Sequence, residues 1–353
     1  MSRESIPKTG RPERPERRVR DGVRRRRRRR ALTAVSLAVV SLAASGCVVV
    51  HGERAVLPAA TRAEAAEAVA EFTSAYNAAD AAYDGSLDAG RTTGALGVID
   101  AARLRAGRVN HPDGNPDHTP LALSDVRYTI PEKPGWPRWF VADARANKGG
   151  EARWVLVFTR AGLAAPWQAA YLTLTAPGAL PEFAVDEDGW ARAAPADATG
   201  LARTPGQLSA DYTAYLKSGG AVFADGAHTS ELRATRAKNS SRPGLATQYI
   251  DEPLTDGDFA PLALRTADGG AVVFFASRHY VKQTAAAGAS VPTPNQSVRA
   301  LTTGEIKQSL TMEFVANEVA VTPAGSATGS ATGSDGKVRL LSRLEGLTGA
   351  KGE

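Results

Sequence analysis

One cysteine and five histidines are the soft ligands and nucleophiles of this 353-residue chain. Cys47 is the only thiol, so pairing it with a second cysteine of the chain is impossible. His111 and His118 flank Asp113-Gly114-Asn115-Pro116-Asp117, whose oxygen ligands at steps of two suit a hard cation. The loop departs from a calcium site at two places. His118 stands where glycine makes the sharp turn, and Ser124 where a bidentate glutamate closes the cage. Two histidines seven residues apart in a proline-rich loop have no set geometry for zinc, so the segment reads as a solvated turn. His51, His228 and His279 are isolated in sequence, and the latter two read as surface or hydrogen-bonded residues. Asp186-Glu187-Asp188 and Asp251-Glu252 are the paired carboxylates that acid–base chemistry would need. Both sit beside turn-forming residues, and the expectation is two solvated loops. Ser334-Asp335-Gly336-Lys337 has serine–lysine spacing but ends a Gly/Ser/Thr repeat that cannot hold a nucleophile rigidly. No G-x-S-x-G elbow, phosphate-binding loop or dinucleotide fingerprint occurs. No catalytic residue, metal site or cofactor is therefore expected, and the chain reads as non-catalytic.

The environment of Cys47 is more specific. Arg24 to Arg30 form an unbroken basic run, and Ala31 to Gly46 follow without a charge. Basic region, apolar region and small residues in that order are the layout of a secretory signal, with the arginines held on the cytoplasmic side. Leu42-Ala43-Ala44-Ser45-Gly46-Cys47 resembles a lipobox, with Ala44 where leucine is usual. The resemblance implies cleavage between Gly46 and Cys47 and a diacylglycerol on the Cys47 sulfur. Two or three acyl chains of the palmitate class suffice for stable anchoring. The alternative is an uncleaved signal anchor, because the twenty uncharged residues Ala31–Val50 are just long enough to span a bilayer. Both readings place the body on the extracytoplasmic face of the cell membrane.

Charge supports this division. Of 43 Lys/Arg and 37 Asp/Glu, 14 and 4 precede Cys47, leaving 29 and 33 and a net charge of −4 beyond it. The body thus lacks the basic footprint of a nucleic-acid binder. Its expected partners are the membrane, through diacylglyceryl-Cys47, and an envelope protein or small ligand, in a binding or envelope-assembly role; the alternatives are a secreted hydrolase acting on envelope polymers and an accessory or sensor subunit of a membrane complex.

The elements that would position any site follow helix-then-strand order twice. Residues 47–60 form a tether. Thr61-Arg62-Ala63-Glu64 is a capping box, and Ala65, Val69, Phe72, Tyr76 and Ala79 make one helical stripe. A second helix is expected over 95–106. Strands are expected over 121–130, 139–144, 153–159 and 168–175, with Asn147-Lys148-Gly149-Gly150 as a hairpin. Asp186–Thr204 is the expected boundary between a first domain over 61–195 and a second over 196–353. The second half offers a helix over 205–217, an ambiguous segment over 229–237, and strands over 261–265 and 271–284 joined by Ala267-Asp268-Gly269-Gly270. Strands over 309–321 and 337–347 close it, with a flexible insertion over 323–336.

This order predicts an α+β class, two tandem helix-then-antiparallel-sheet domains, similar to NTF2-like or cystatin-like folds. Together with the lipobox and the Gly/Ser/Thr insertion, it resembles the uncharacterised lipoproteins of actinobacteria. That resemblance implies location and fold and carries no activity. Four of the five tryptophans lie between 136 and 167. Trp136, Trp139, Trp154 and Tyr171, with Trp167 and Phe158 nearby, would line a concave sheet holding an apolar or glycan ligand. The alternative is that they pack the core under the helices. Trp136, between Gly135 and Pro137, is the one expected at the surface.

Overall fold

The computed structural model describes residues 57–132, 135–325 and 336–353. Gly46, Cys47, His51, the signal segment and most of the Gly/Ser/Thr insertion lie outside them. Residues 56–353 form one compact unit. Among the described residues no helix is long and apolar enough to cross a membrane.

The first helix, α1 (Arg62–Ala82), opens on the expected capping box. The Glu64 amide donates to Thr61 Oγ1 at 3.1 Å, and the Thr61 amide donates to Glu64 Oε2 at 2.8 Å. These bonds satisfy two of the amides that a helix start leaves without partners. Ala65, Val69, Phe72 and Ala79 are buried along its stripe, with Tyr76 half-buried. Tyr83 ends the helix in the left-handed conformation, φ 49°. The second helix, α2, spans Gly94–Asn110.

A four-stranded antiparallel meander follows: β1 (Leu123–Thr129), β2 (Arg138–Ala146), β3 (Arg153–Arg160) and β4 (Gln168–Thr175). Phe140, Ala142, Trp154, Leu156 and Phe158 face one way and pack with Ala65, Val69 and Phe72 of α1. Trp139, Val141, Val155, Val157 and Tyr171 face the other way. With both faces covered, Arg153–Phe158 is buried without interruption, as strands sandwiched between layers are.

The second half holds α3 (Leu208–Ser218), α4 (Ser230–Asn239) and α5 (Gln296–Leu301) with a seven-stranded sheet. Its strands are β5 (Ser241–Arg242), β6 (Leu245–Leu254), β7 (Leu262–Arg265), β8 (Ala271–Ala285), β9 (Thr302–Thr303), β10 (Ser309–Thr322) and β11 (Arg339–Gly352). The order is β5-β6-β8-β10-β11-β9, with β7 also on β8 and β9 parallel to β11. Val272, Phe274 and Ala276 of β8 pack with Val315 and Val319 of β10 against Trp139, Val157 and Tyr171 of the first sheet. Val273 and Phe275 turn to the other face, under Leu208, Tyr212 and Tyr215 of α3.

The class is therefore α+β, and one apolar layer joins the two sheets. The halves approach so closely that two glycines are required. A Cβ on Gly94 would lie 2.4 Å from the Asp258 carbonyl oxygen, at φ +54°. A Cβ on Gly346 would lie 2.3 Å from Ile99 Cγ2. The segment 229–237, ambiguous from its pattern, is helical. Four elements had no sequence expectation: β5, β6, β9 and α5. The expected loop at Asp251-Glu252 is part of β6, ten residues paired throughout with β8.

Candidate functional site

A cleft of about 410 Å³ opens beside the start of α1. Glu64, Glu67 and Glu71 line it from positions three and seven residues apart, one face of the helix. Opposite stand Arg91, Arg160 at the end of β3, and Ala164–Trp167 of the β3–β4 turn. Arg160 shapes that turn: its Nε donates to the Ala165 carbonyl at 2.8 Å, and Nη2 donates to that of Leu163. Its Nη1 lies 3.7 Å from Glu64 Oε1, and Arg91 Nη1 lies 2.7 Å from Glu71 Oε2. The cap bond to Thr61 lowers the Glu64 carboxyl further than its slight burial raises it. Among the described residues Glu67 has no ion-pair partner. Trp167, packed edge-on to Phe140 at 5.0 Å, keeps a buried indole Nε1–H without an acceptor. The cleft therefore offers a spare carboxylate and, in its wall, a spare donor.

Two clusters of titratable groups lie inside the body, away from this cleft. The first joins α1, α2 and the loop after α2. Arg103 donates through Nε and Nη2 to Asp100 Oδ1 at 2.9 and 2.8 Å, and through Nη1 to Asp80. His118 Nδ1 lies 2.7 Å from Asp80 Oδ2, to which Asn115 Nδ2 donates at 3.1 Å. Burial raises the Asp80 carboxyl, but the bonds from His118 and Arg103 outweigh it and hold it below the usual range. Asp88, beside Asp100, is pushed up to about 8 by burial and by that neighbouring carboxylate. A carboxylic acid protonated at neutral pH is what a general acid needs. Here, however, Asp88 and Asp100 are only 2% and 3% exposed, so nothing reaches them from solvent.

The second cluster lies on the α3 side of the large sheet. Strand register places Glu318 of β10 between Phe275 of β8 and Arg343 of β11, and Asp251 of β6 beside His279 of β8. Ser277 Oγ donates to Glu318 Oε1 at 2.5 Å, and Arg343 Nε stands 3.6 Å from the same oxygen. Arg343 also reaches Glu345, and its Nη2 lies 3.2 Å from His279 Nδ1. Arg236 of α4 donates through Nη1 to both oxygens of Asp251 at 2.9 and 2.7 Å. Burial pushes Glu318 up to about 8 against the pull of Arg343. Burial, then the charges of Arg343 and Arg236, push His279 down to about 2. His279 is accordingly neutral, stacked on Phe314 at 4.9 Å.

The residues singled out from sequence are distributed differently. Trp139 and Tyr171 join the layer between the sheets, whereas Trp154 belongs to the α1 side. Alternation along the strands separates them, since neighbouring positions face opposite ways. Trp136 is half-exposed beneath the Arg138 guanidinium, 4.6 Å from its ring. The four proposed pocket residues thus lie on different faces of the first sheet, with Trp136 at its surface. Tyr171 instead donates its hydroxyl to the Ala260 carbonyl at 3.0 Å.

In the Asp113–Asp117 loop, Asn115 Oδ1 accepts the Asp117 amide at 3.0 Å and its Nδ2 turns inward to Asp80. The loop carboxylates are exposed, and no group of three His, Cys, Asp or Glu among the described residues has a metal-binding arrangement. His111 stacks on Tyr83, and burial lowers His228. Asp186 accepts the Asp188 and Trp190 amides in a turn. Asp251 overturns its expected solvated loop: its side chain is 5% exposed and ion-paired. A pairing strand with a buried carboxylate is not visible in a segment as polar as Gln248–Pro253. Asp80, Asp88 and Asp100 carry no motif in the sequence because each sits singly in an alanine-rich helix or turn. Their one sequence signal is a charge on the inner side of an otherwise apolar stripe.

This is an α+β body with an open cleft and two internal ion clusters. Residues 56–352 match the model of a Domain of unknown function (DUF8094), and the chain belongs to that family. It is 66% identical to an uncharacterized lipoprotein of Streptomyces coelicolor over 334 residues, 94% of this chain and 98% of that one. An uncharacterized lipoprotein of Streptomyces avermitilis is 55% identical over 323 residues, 92% and 95% of the two chains. A second Streptomyces coelicolor lipoprotein is 27% identical over 217 residues, 58% and 59%. The likeness to uncharacterised actinobacterial lipoproteins therefore extends over the whole body. No solved structure matches the chain.

Proposed function

We propose that this protein is an extracytoplasmic lipoprotein, held to the membrane by diacylglyceryl-Cys47, whose body binds a small polar ligand and performs no catalysis. The naming of the Streptomyces relatives and the lipobox resemblance support the anchor. The cleft at α1 carries the binding reading, because it is open and lined by charged groups. The strongly shifted groups Asp88, Glu318 and His279 are instead enclosed in ion clusters. A ligand that fits presents an amine or guanidinium to Glu67, the carboxylate of the cleft without a described counter-ion.

The anchor is tested by intact mass of the protein from its native membranes. Residues 1–46 should be gone and a diacylglycerol present on Cys47, while Cys47→Ala should remain full length. A wild-type protein without lipid would overturn it. The cleft is tested by calorimetric titration with a panel of amines, guanidines and amino sugars. At least one should bind the wild type and lose about tenfold in affinity in Glu67→Gln, the ~1.4 kcal/mol of one charge-assisted bond. Equal binding by both proteins, or by neither, would remove the cleft from the proposal.

A further inference from the structure

We propose that the end of the body where α1 begins is a membrane-seating face, resting on the headgroup interface of the bilayer that carries the acylated Cys47. This rests on the lipid anchor proposed above. Three large apolar side chains are exposed at this end: Leu57 at 59%, Trp136 at 44% and Leu163 at 72%. They come from three separate segments that the fold brings together. Leu57 precedes Pro58, which bridges Glu132, and the Ala59 amide donates to the Pro131 carbonyl at 2.9 Å. Trp136 leads into Arg138, which pairs in register with Arg160 at the end of β3. Leu163 crowns the following turn, whose backbone Arg160 holds through the Leu163 and Ala165 carbonyls. Arg160 also stands 3.7 Å from Glu64 in the first turn of α1. None of the three apolar side chains caps a core, so core packing gives no reason for them.

The chain itself says what covers this face. Nine residues, 48–56, separate Cys47 from Leu57, so a fully extended tether reaches no more than about 35 Å. The point where the body begins is therefore within one such length of the bilayer. A tryptophan with an arginine over its ring suits the interface, where an amphipathic ring and a cation both find partners. Each contact is weak alone. The tether makes them effectively intramolecular, and a high local concentration of membrane turns weak affinity into high occupancy.

The test uses the full mature, acylated chain in phosphatidylglycerol–phosphatidylcholine vesicles. Trp139, Trp154 and Trp167 are buried and Trp190 half-buried, so Trp136 dominates acrylamide quenching; Trp136→Phe assigns that fraction. On vesicles the Trp136 quenching should fall about twofold relative to detergent solution, as expected of an interfacial ring. The double substitution Leu57→Asp, Leu163→Asp, at exposed positions that do not hold the fold, should restore quenching while leaving the protein vesicle-bound. Acylated, vesicle-bound wild type with unchanged Trp136 quenching would overturn the seating face alone. Absence of the acyl mass on Cys47 would overturn the anchor and, with it, this proposal.

Discussion

The cluster at the helix–loop junction sets Asp80, Asp88 and Asp100 around the single guanidinium of Arg103, whereas the cluster on the large sheet divides Glu318, Glu345 and Asp251 between Arg343 and Arg236. Both are buried, and both drive one carboxyl up to about 8. They reach that value by different routes. Asp88 combines burial with a like-charged neighbour, so the pair holds a proton. Glu318 is fully enclosed, and its desolvation exceeds what Arg343 returns. Solvent access also differs: the Arg103 side chain is 37% exposed and that of Arg343 only 6%. A similar value can thus come from a buried junction whose guanidinium meets water or from a dry sheet where each charge depends on its partner.

The largest effect should separate the clusters by that access. Arg343→Met removes the buried guanidinium in contact with Glu318, Glu345 and His279 from a dry interior and should destabilise by about 3–5 kcal/mol. Arg103→Met removes a guanidinium that already meets solvent, and Asp80 keeps its bonds to His118 and Asn115, so it should cost about half as much. Chemical denaturation of the two variants measures the difference, and equal losses would erase the contrast.

The next effect is on pH dependence. A carboxyl raised to about 8 in the folded state binds a proton there that the unfolded chain has released above about 4. Its stabilising contribution is complete below about 4 and is lost as pH rises through about 8. Asp88→Asn and Glu318→Gln should each flatten the fall in stability between those limits. Denaturation midpoints at stepped pH test this, and an unchanged slope in either variant would remove that group from its assigned state.

His279 acts with the opposite sign. Held neutral with its folded value near 2, it costs stability as pH falls below about 6.5, where the unfolded imidazole takes up a proton. His279→Gln should therefore lessen acid sensitivity, read from the acid midpoint of tryptophan fluorescence. Glu318 opposes this trend over the same range, so the effect should be clearest in the Glu318→Gln background.

The smallest effect is local. Asn115→Ala removes the bond to Asp80 and the exposed bond that accepts the Asp117 amide, and should cost only about 1 kcal/mol globally. Hydrogen exchange over 111–120 should accelerate while the sheets keep their protection. Uniform acceleration would mean that the junction bears on the whole body and does not merely fasten a loop.

Much of the framework was legible locally. The Thr61–Glu64 box, the stripe from Ala65 to Ala79 and the strand at Gln168–Thr175 depend on neighbouring residues and appear as expected. The helix–strand ambiguity at 229–237, the strand β6 and the role of Asp251 were not legible. In each, polar residues are retained by partners far away in sequence: Asp251 by Arg236 of α4, and β6 by the backbone of β8. The aromatic cluster shows the same limit. Composition marked Trp136, Trp139, Trp154 and Tyr171 as important, but strand alternation and the second sheet decided which face each one serves. The spacing of His118 to His111 is plain in the sequence, yet its partner is Asp80, on the other side of a turn and a helix.

By itself the amino-acid order determined the basic N-terminal run and the single thiol after it, an acidic remainder free of nucleotide and nucleophile motifs, and the α+β alternation. These are properties of composition and of contacts within a few residues. Tertiary structure decided that one apolar layer serves both sheets and that isolated charges gather into two internal clusters. It also decided that Leu57, Trp136 and Leu163 emerge at the end where α1 begins. Burial, charge pairing and exposure depend on which distant segments meet, and only the packed chain brings them together.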